Sequence, residues 1–498
     1  MTTSYLLTGI FFYIAVSLIV VWLSRKGTST SMSGYFLGSR SMGGIISALS
    51  YSATTYSAFM MIGLAGLTYR GGVGALGFEI VYFSGVSLVA IFGPRFWRVG
   101  KKYGYVTPSE LLGHRYGERS VAIAAGATSL VFLIPYSAVQ LSGVGYLLSG
   151  MTGGSITFMM GIIIATTLAV TFSYIAGIRT VMWTDSLQAL VMVIASILVA
   201  IIVVHGLGGF TAMFRAVTER APDMLQVPGP GLFSFKTFLG LTIPWFFFSI
   251  SNPQVSQRLF MPANLVAMRR MVLIFLCFGL IYTIVSVIWG FAAFVTFPML
   301  NQPDLATATL LASDYIPPVL GVTVMVGILA AAVSTIDSIL LTLSSIFARD
   351  VYGNMGGSQK DHDQLVIAKF VIPVISLLAM MFAAAEFSMI AVLSVAASAG
   401  LVVVVPAIVG AFFWTGGTAK GALTSIVGGA VFVLCMYLTG NNLFGLNAGV
   451  LGLPVSALLF AGVSLVTRPN AASVTEGFID GIPDSGEILS NISKLSNR

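Results

Sequence analysis

Charge is what this sequence has least of. Only 8% of its 498 residues are Asp, Glu, Lys or Arg, against 57% hydrophobic, where soluble proteins carry about a quarter charged residues. A water-facing surface cannot be covered with so little charge. The expected class is therefore an all-α polytopic membrane protein, because helices satisfy their own backbone groups inside lipid. Cysteine is nearly absent. Cys277 and Cys435 both fall in apolar segments, which excludes a disulfide framework and a thiolate metal site. His114, His205 and His362 are too few and too dispersed for a metal cluster. There is no G-x-x-x-x-G-K phosphate loop, no activated-nucleophile constellation and no polar stretch long enough for a soluble catalytic domain, so the expectation is not an enzyme. The net charge of +7 is no sign of nucleic acid, since the basic residues gather in short loops between apolar runs.

Those runs are the positive content. Each membrane crossing needs about 20 residues, and thirteen spans are read at 5–24, 43–70, 76–97, 122–149, 155–177, 183–205, 238–260, 271–297, 316–348, 364–385, 388–414, 418–438 and 448–467. With the amino terminus outside, 20 of the 24 basic residues fall on the inner side, the asymmetry expected of a correctly counted topology. The expected location is the plasma (inner) membrane, with the carboxy terminus cytoplasmic. The first span has no basic region before it and is followed by Arg25 and Lys26, so it reads as a retained helix and not a cleaved signal. Residues 1–468 form one transport domain. Residues 469–498, polar and rich in serine and asparagine, read as a disordered cytoplasmic tail. After the third span, Thr107, Pro108 and Glu110 start a short helix.

Three spans carry polar atoms that lipid disfavours. In Ala330 to Tyr352, Ser334, Ser338, Thr342 and Ser345 recur at steps of 4, 4 and 3, which puts them on one helix face. Thr335 and Asp337 flank them, and an aspartate in a membrane helix faces protein, water or an ion because exposure to lipid costs about 3 kcal/mol or more. Hydroxyls can also bond back to their own helix. Hydroxyls with a carboxylate in one turn offer hard oxygen ligands to a small cation. The second span packs serines with adjacent Thr54 and Thr55, then Gly63 and Gly66, and is expected to unwind. The seventh carries Pro244, Pro253, Ser249, Ser251, Asn252 and Gln254. Irregular backbone at membrane depth must line a cavity or be buried in protein. Spans two to six and seven to eleven thus form two five-helix halves of opposite direction, each opening on an interrupted helix, the arrangement of a transporter built from inverted repeats.

The motifs YFLGSRSMGG from Tyr35, GLAG from Gly63, VTPSELLGHRYG from Val106, VMWTDSLQ from Val181, NPQVSQR from Asn252 and AAAVSTIDS from Ala330 resemble the sodium:solute symporter family over nearly the whole length. The resemblance implies thirteen helices around a leucine-transporter-like core and sodium-driven uptake. It also implies a main sodium site made of the carbonyls of Ala53, Tyr56 and Ala331 with the hydroxyls of Ser334 and Thr335. Five neutral oxygens suit a monovalent ion. A second sodium site would use Asp185, Asp337 and Ser338. Asp185 can equally be a capping carboxylate in the first turn of its span, and two acids side by side leave proton coupling open.

For the solute, Tyr56, Ser57, Glu79, Gln140, Trp245, Phe248, Ser251, Asn252 and Gln254 are the expected contacts, on or beside the broken helices. Glu79 matches a sugar-binding glutamate of the galactose transporter, and can instead be an interfacial acid reaching water. Arg258 reads as cytoplasmic and Arg70 as external. The expected function is sodium-coupled uptake, by alternating access, of a small polar organic solute: a monocarboxylate, pantothenate-like compound, amino acid or sugar. A passive channel or a proton-coupled carrier is the alternative. One charge falling through 100 mV supplies about 2.3 kcal/mol, about fiftyfold accumulation of a neutral solute. The partners expected are sodium, the solute and the lipid bilayer, with no nucleic acid.

Overall fold

The computed structural model describes residues 3–24, 31–175, 177–230, 234–386, 389–440, 442–443, 445–468 and 477–479. Among these the chain is helical, without a strand. In chain order the helices used below are α1 (Thr3–Ser24), α2 (Gly44–Thr55), α3 (Phe59–Gly71), α4 (Gly74–Tyr103), α5 (Pro108–Tyr116), α6 (Arg119–Met151), α7 (Phe158–Ile175), α8 (Ile178–Gly206), α9 (Phe235–Phe246), α10 (Leu265–Thr296), α11 (Pro318–Tyr352), α12 (Asp361–Ala384), α13 (Ile390–Phe413), α14 (Ala419–Thr439) and α15 (Ala448–Leu465). Ten of them are single helices long and apolar enough to cross a bilayer, and the bent pair α2–α3 makes an eleventh candidate. This is a multi-pass membrane protein.

The helices sort their faces by solvent. On α8, Leu187, Leu190, Ile194, Leu198 and Ile201 are exposed, an apolar stripe at helical spacing that suits lipid. Its other face buries Asp185, Ser186, Ala189, Met192 and Ser196. Helix α11 is enclosed: every residue from Gly327 to Ile346 is buried, so its hydroxyl stripe meets protein on all sides.

Both expected interruptions are present. Helix α2 ends at Thr55, and the chain resumes as α3 after a bend of 49°. The first turns of α3, Phe59–Leu64, are a π-helix, a local widening common at functional sites. Adjacent β-branched threonines followed by glycine favour such a departure. The second interruption lies beyond α9, where Phe248–Ser251, Pro253–Ser256 and Gln257–Phe260 are separate short turns. Asn252 sits extended (φ −80°, ψ 115°) and its side chain accepts from the Gln254 amide. Pro253 cannot supply the amide that would carry the helix through.

The segment between α4 and α6 folds as its sequence directs. The Thr107 hydroxyl accepts from the Glu110 amide at 3.0 Å, and Glu110 in turn accepts from the Val106 amide at 2.8 Å, a reciprocal start signal. Arg115, fully buried, donates to the Ala411 and Trp414 carbonyls at 3.0 and 3.1 Å, placing a cation at the carboxyl end of α13 where the backbone is electronegative.

Most of the segment read as a disordered tail lies outside the described residues. Residues 477–479 form one helical turn whose Phe478 is buried, its ring 5.8 Å from Tyr103, 5.9 Å from Phe412 and 6.2 Å from His114.

Candidate functional site

The α2–α3 break faces the middle of α11. The Thr335 hydroxyl lies 3.3 Å from the Ala53 carbonyl and 2.8 Å from the Ala331 carbonyl, and the Ser334 hydroxyl lies 3.2 Å from that same Ala331 oxygen. Four of the five oxygens expected to hold an ion therefore share one place. The fifth, the Tyr56 carbonyl, sits in the break itself: the Met60 amide bonds to Ser57 at 3.0 Å, so it is not available to the residue four positions back. Two carbonyls and two hydroxyls with no formal charge suit a weakly charged, hard cation.

The hydroxyl stripe of α11 continues from there along the second interrupted segment. Ser338 accepts from Arg258 Nη2 at 2.6 Å, Thr342 donates to Gln257 Oε1 at 2.8 Å, and Ser345 accepts from Gln257 Nε2 at 3.2 Å. Gln257 Nε2 also reaches the Val106 carbonyl at 2.8 Å. Arg258, read from sequence as cytoplasmic, is buried inside the bundle. Its guanidinium also donates to Ser50 at 2.6 Å and to Thr54, and lies 3.8 Å from Asp185. Sequence reasoning missed this because an arginine at the end of an apolar run ordinarily marks a loop. The signal that could have found it is the polar run before it and the serines of α2 that await a donor.

Asp185 lies two turns inside α8, which begins at Ile178, so it does not cap the helix. It accepts from Ser50 at 2.7 Å. Asp337, one residue from Ser338, turns to another side and accepts from Ser173 at 2.9 Å. It lines a small cavity with Tyr13, Ser17, Thr180, Thr184 and Gln188. Asp185 and Ser338 thus meet through Arg258, while Asp337 faces a neighbouring space.

The residues expected to touch solute fall into two groups. Glu79 on α4 is fully buried; its Oε1 accepts from Trp245 Nε1 at 3.2 Å, and Oε2 has no partner among the described residues. Close approach of α4 and α9 makes that contact: a Cβ on Gly85 would lie 1.9 Å from the Phe246 carbonyl. Trp245 is enclosed by Phe248 at 4.6 Å, Phe59 at 4.9 Å, Phe78 at 5.4 Å and Tyr82 at 5.5 Å. Tyr56 joins this cluster through Tyr82 at 6.4 Å and stacks on Phe275 at 5.0 Å. Among the described residues, both amide atoms of Gln140, the hydroxyls of Ser57 and Ser251 and the Asn252 amide nitrogen are buried without a partner. Gln254 belongs elsewhere, its amide 3.4 Å from the Thr54 carbonyl, on the Arg258 side. Phe59, Phe78 and Tyr82 were not anticipated, since single aromatics in apolar runs look like ordinary core.

The family model described as the sodium:solute symporter family matches residues 35–429. The sodium/pantothenate symporter of Escherichia coli (strain K12) is 28% identical, covering 88% of this chain and 91% of that protein. The sodium/proline symporter of Staphylococcus aureus (strain JH9) is 26% identical, covering 95% and 94%. A solved structure of a substrate-bound, outward-open Na+-coupled sialic acid symporter superimposes with a TM-score of 0.79 at 21% identity, covering 93% of this chain and 98% of that one, which speaks to the fold alone.

Proposed function

Since the chain belongs to the sodium:solute symporter family, we propose that it performs sodium-coupled uptake of a small polar organic solute by alternating access, with sodium held at Ala53, Tyr56, Ala331, Ser334 and Thr335. Membership of a family of symporters removes the passive-channel alternative and makes the protein a transporter, not an enzyme. The observation that carries the ion site is the meeting of the Ala53 carbonyl and the Thr335 hydroxyl across 3.3 Å, on a broken helix and on the helix facing it. A cation between them ties two elements that alternate access must separate, so ion binding stabilises one state over the other by differential affinity.

The solute site in this reading comprises Tyr56, Ser57, Glu79, Gln140, Trp245, Phe248, Ser251 and Asn252, with Gln254 beside the ion. A second cation site in this reading uses Asp185, Asp337 and Ser338, and forming it requires the Asp337 carboxylate to leave Ser173 and turn toward the other two. The Arg258 guanidinium, 3.8 Å from Asp185, supplies positive charge there until an ion or proton takes its place. The topology in this reading has thirteen crossings, counting α1 and the interrupted segment from Phe235 to Phe260. Spans two to six and seven to eleven are inverted repeats within one domain of residues 1–468, the amino terminus is outside, and the protein sits in the plasma membrane.

The test is uptake into proteoliposomes. An inward sodium gradient is expected to drive the solute above its equilibrium level, and Ser334→Ala with Thr335→Ala to abolish that drive while expression persists. Unchanged sodium activation in the double variant would remove the main site. Accumulation that follows a proton gradient without sodium would instead favour the paired acids as proton carriers.

A further inference from the structure

The chemistry of the solute itself can be narrowed, on the premise that the Glu79 region is the solute site. A fully buried carboxylate in a low-dielectric interior is costly unless a proton, a cation or several donors compensate it. Glu79 receives one donor, Trp245 Nε1 at 3.2 Å, and its second oxygen has none among the described residues. No ion pair in the described structure includes it. The buried arginine nearest in sequence to that tryptophan, Arg258, spends its donors on Ser50, Thr54 and Ser338 beside Asp185.

The one side chain bonded to the carboxylate is aromatic and belongs to an aromatic cluster. Trp245, the group that touches it, packs within 4.6 to 5.5 Å of Phe248, Phe59, Phe78 and Tyr82. Ring faces carry negative potential and attract cations, most strongly where water is excluded. A carboxylate solute would meet a like charge with no basic side chain to offset it. A sugar could donate hydroxyls to Glu79 but would leave the rings with only dispersion to offer.

We propose that the transported solute carries a cationic nitrogen, an amine or quaternary ammonium, seated between the Glu79 carboxylate and the faces of Trp245, Phe248 and Tyr82. The unpartnered Gln140 amide, with both a donor and an acceptor free, serves the remaining polar part of the solute. Glu79→Gln keeps shape and one hydrogen bond but removes the charge, and so separates recognition of a cation from recognition of a hydroxyl.

The experiment is a thermal-shift titration of the purified full chain in sodium, using choline, tetramethylammonium and putrescine against galactose and pantothenate. At least one of the three nitrogen cations is expected to raise the melting temperature, galactose and pantothenate to leave it unchanged, and Glu79→Gln to weaken the cation tenfold or more. The shift produced by sodium alone reports that the variant is folded. If Glu79→Gln does not fold, Trp245→Phe, which removes the N–H and weakens the cation–ring contact, is expected to lower the same affinity severalfold. Stabilisation by galactose or pantothenate, silence from all three cations, or a cation affinity indifferent to both variants would overturn the assignment. Loss of the transport reading shows differently, as no sodium shift in the wild type and no sodium-driven accumulation in vesicles.

Discussion

Two of the groups of polar side chains buried among the described residues are built on opposite terms. Along α11, Ser338, Thr342 and Ser345 meet Arg258 and Gln257 with donors facing acceptors at 2.6 to 3.2 Å. By contrast, Glu79 beside Trp245, and Gln140, Ser57 and Ser251 on or near the interrupted helices, keep polar atoms without partners among the described residues. A matched buried network holds its helices in one arrangement, and each unmatched group costs about 1–3 kcal/mol. The first cluster reads as a structural latch. The second is a site whose free energy falls only when something enters it, which is how strain and unmet polarity come to mark function.

The comparison is broken most decisively at Arg258. Replacing it with leucine leaves Asp185 buried beside an apolar side chain, at an expected loss of about 3–5 kcal/mol. Denaturation in detergent should show this, with Asp185→Asn in the same chain recovering part of it. A variant of unchanged stability, altered only in sodium dependence, would place Arg258 with the ligand-binding groups instead. Next in size is the ion site between the clusters. Removing the Ser334 and Thr335 hydroxyls, each worth about 1.5–3 kcal/mol to a charged partner, should weaken sodium activation of uptake tenfold or more. Asp185→Asn alone should shift sodium affinity or stoichiometry in uptake titrations, and a loss confined to stability would assign Asp185 wholly to the latch.

Gln140→Leu sharpens the contrast from the other side. Deleting two unmet polar atoms is expected to raise stability by about 1–2 kcal/mol while uptake falls, the trade-off of a site kept for function. A stability loss with normal uptake would make Gln140 a core residue.

Stability should also depend on pH. Asp304, buried outside the spans, accepts from the Ile390 amide at 3.1 Å where α13 begins, and burial pushes its carboxyl up to about 7. The folded protein then keeps a proton that the unfolded chain releases above about 4. Stability from this group is therefore present at low pH and lost as pH rises from about 4 to about 7. Asp304→Asn should flatten that part of a melting-temperature profile, and an unaltered profile would show that another group titrates there.

Much of this was legible in residue order. The hydroxyl steps of 4, 4 and 3 on α11 placed one face, and the Thr54–Thr55 and Asn252–Pro253 pairs located both interruptions, because periodicity and backbone chemistry are local properties. The start of α5 at Thr107 and Glu110 followed from the same kind of evidence. Asp185 was less readable, since a helix boundary misplaced by five residues (183 expected, Ile178 observed) is enough to turn an interior acid into an apparent cap.

By itself, then, the sequence determined that this chain lives in lipid, where its helices break and which face of α11 is polar, since hydropathy, proline and spacing act within a few turns. Only the tertiary structure decided that Arg258 turns inward to Ser50 and Asp185, that neighbouring Asp337 and Ser338 serve different partners, and that Glu79 meets Trp245 at the edge of an aromatic cluster. Those outcomes depend on contacts between residues distant in sequence, from 73 positions for Arg258 and Asp185 to 208 for Arg258 and Ser50, and no local pattern encodes which distant atom will satisfy a given charge.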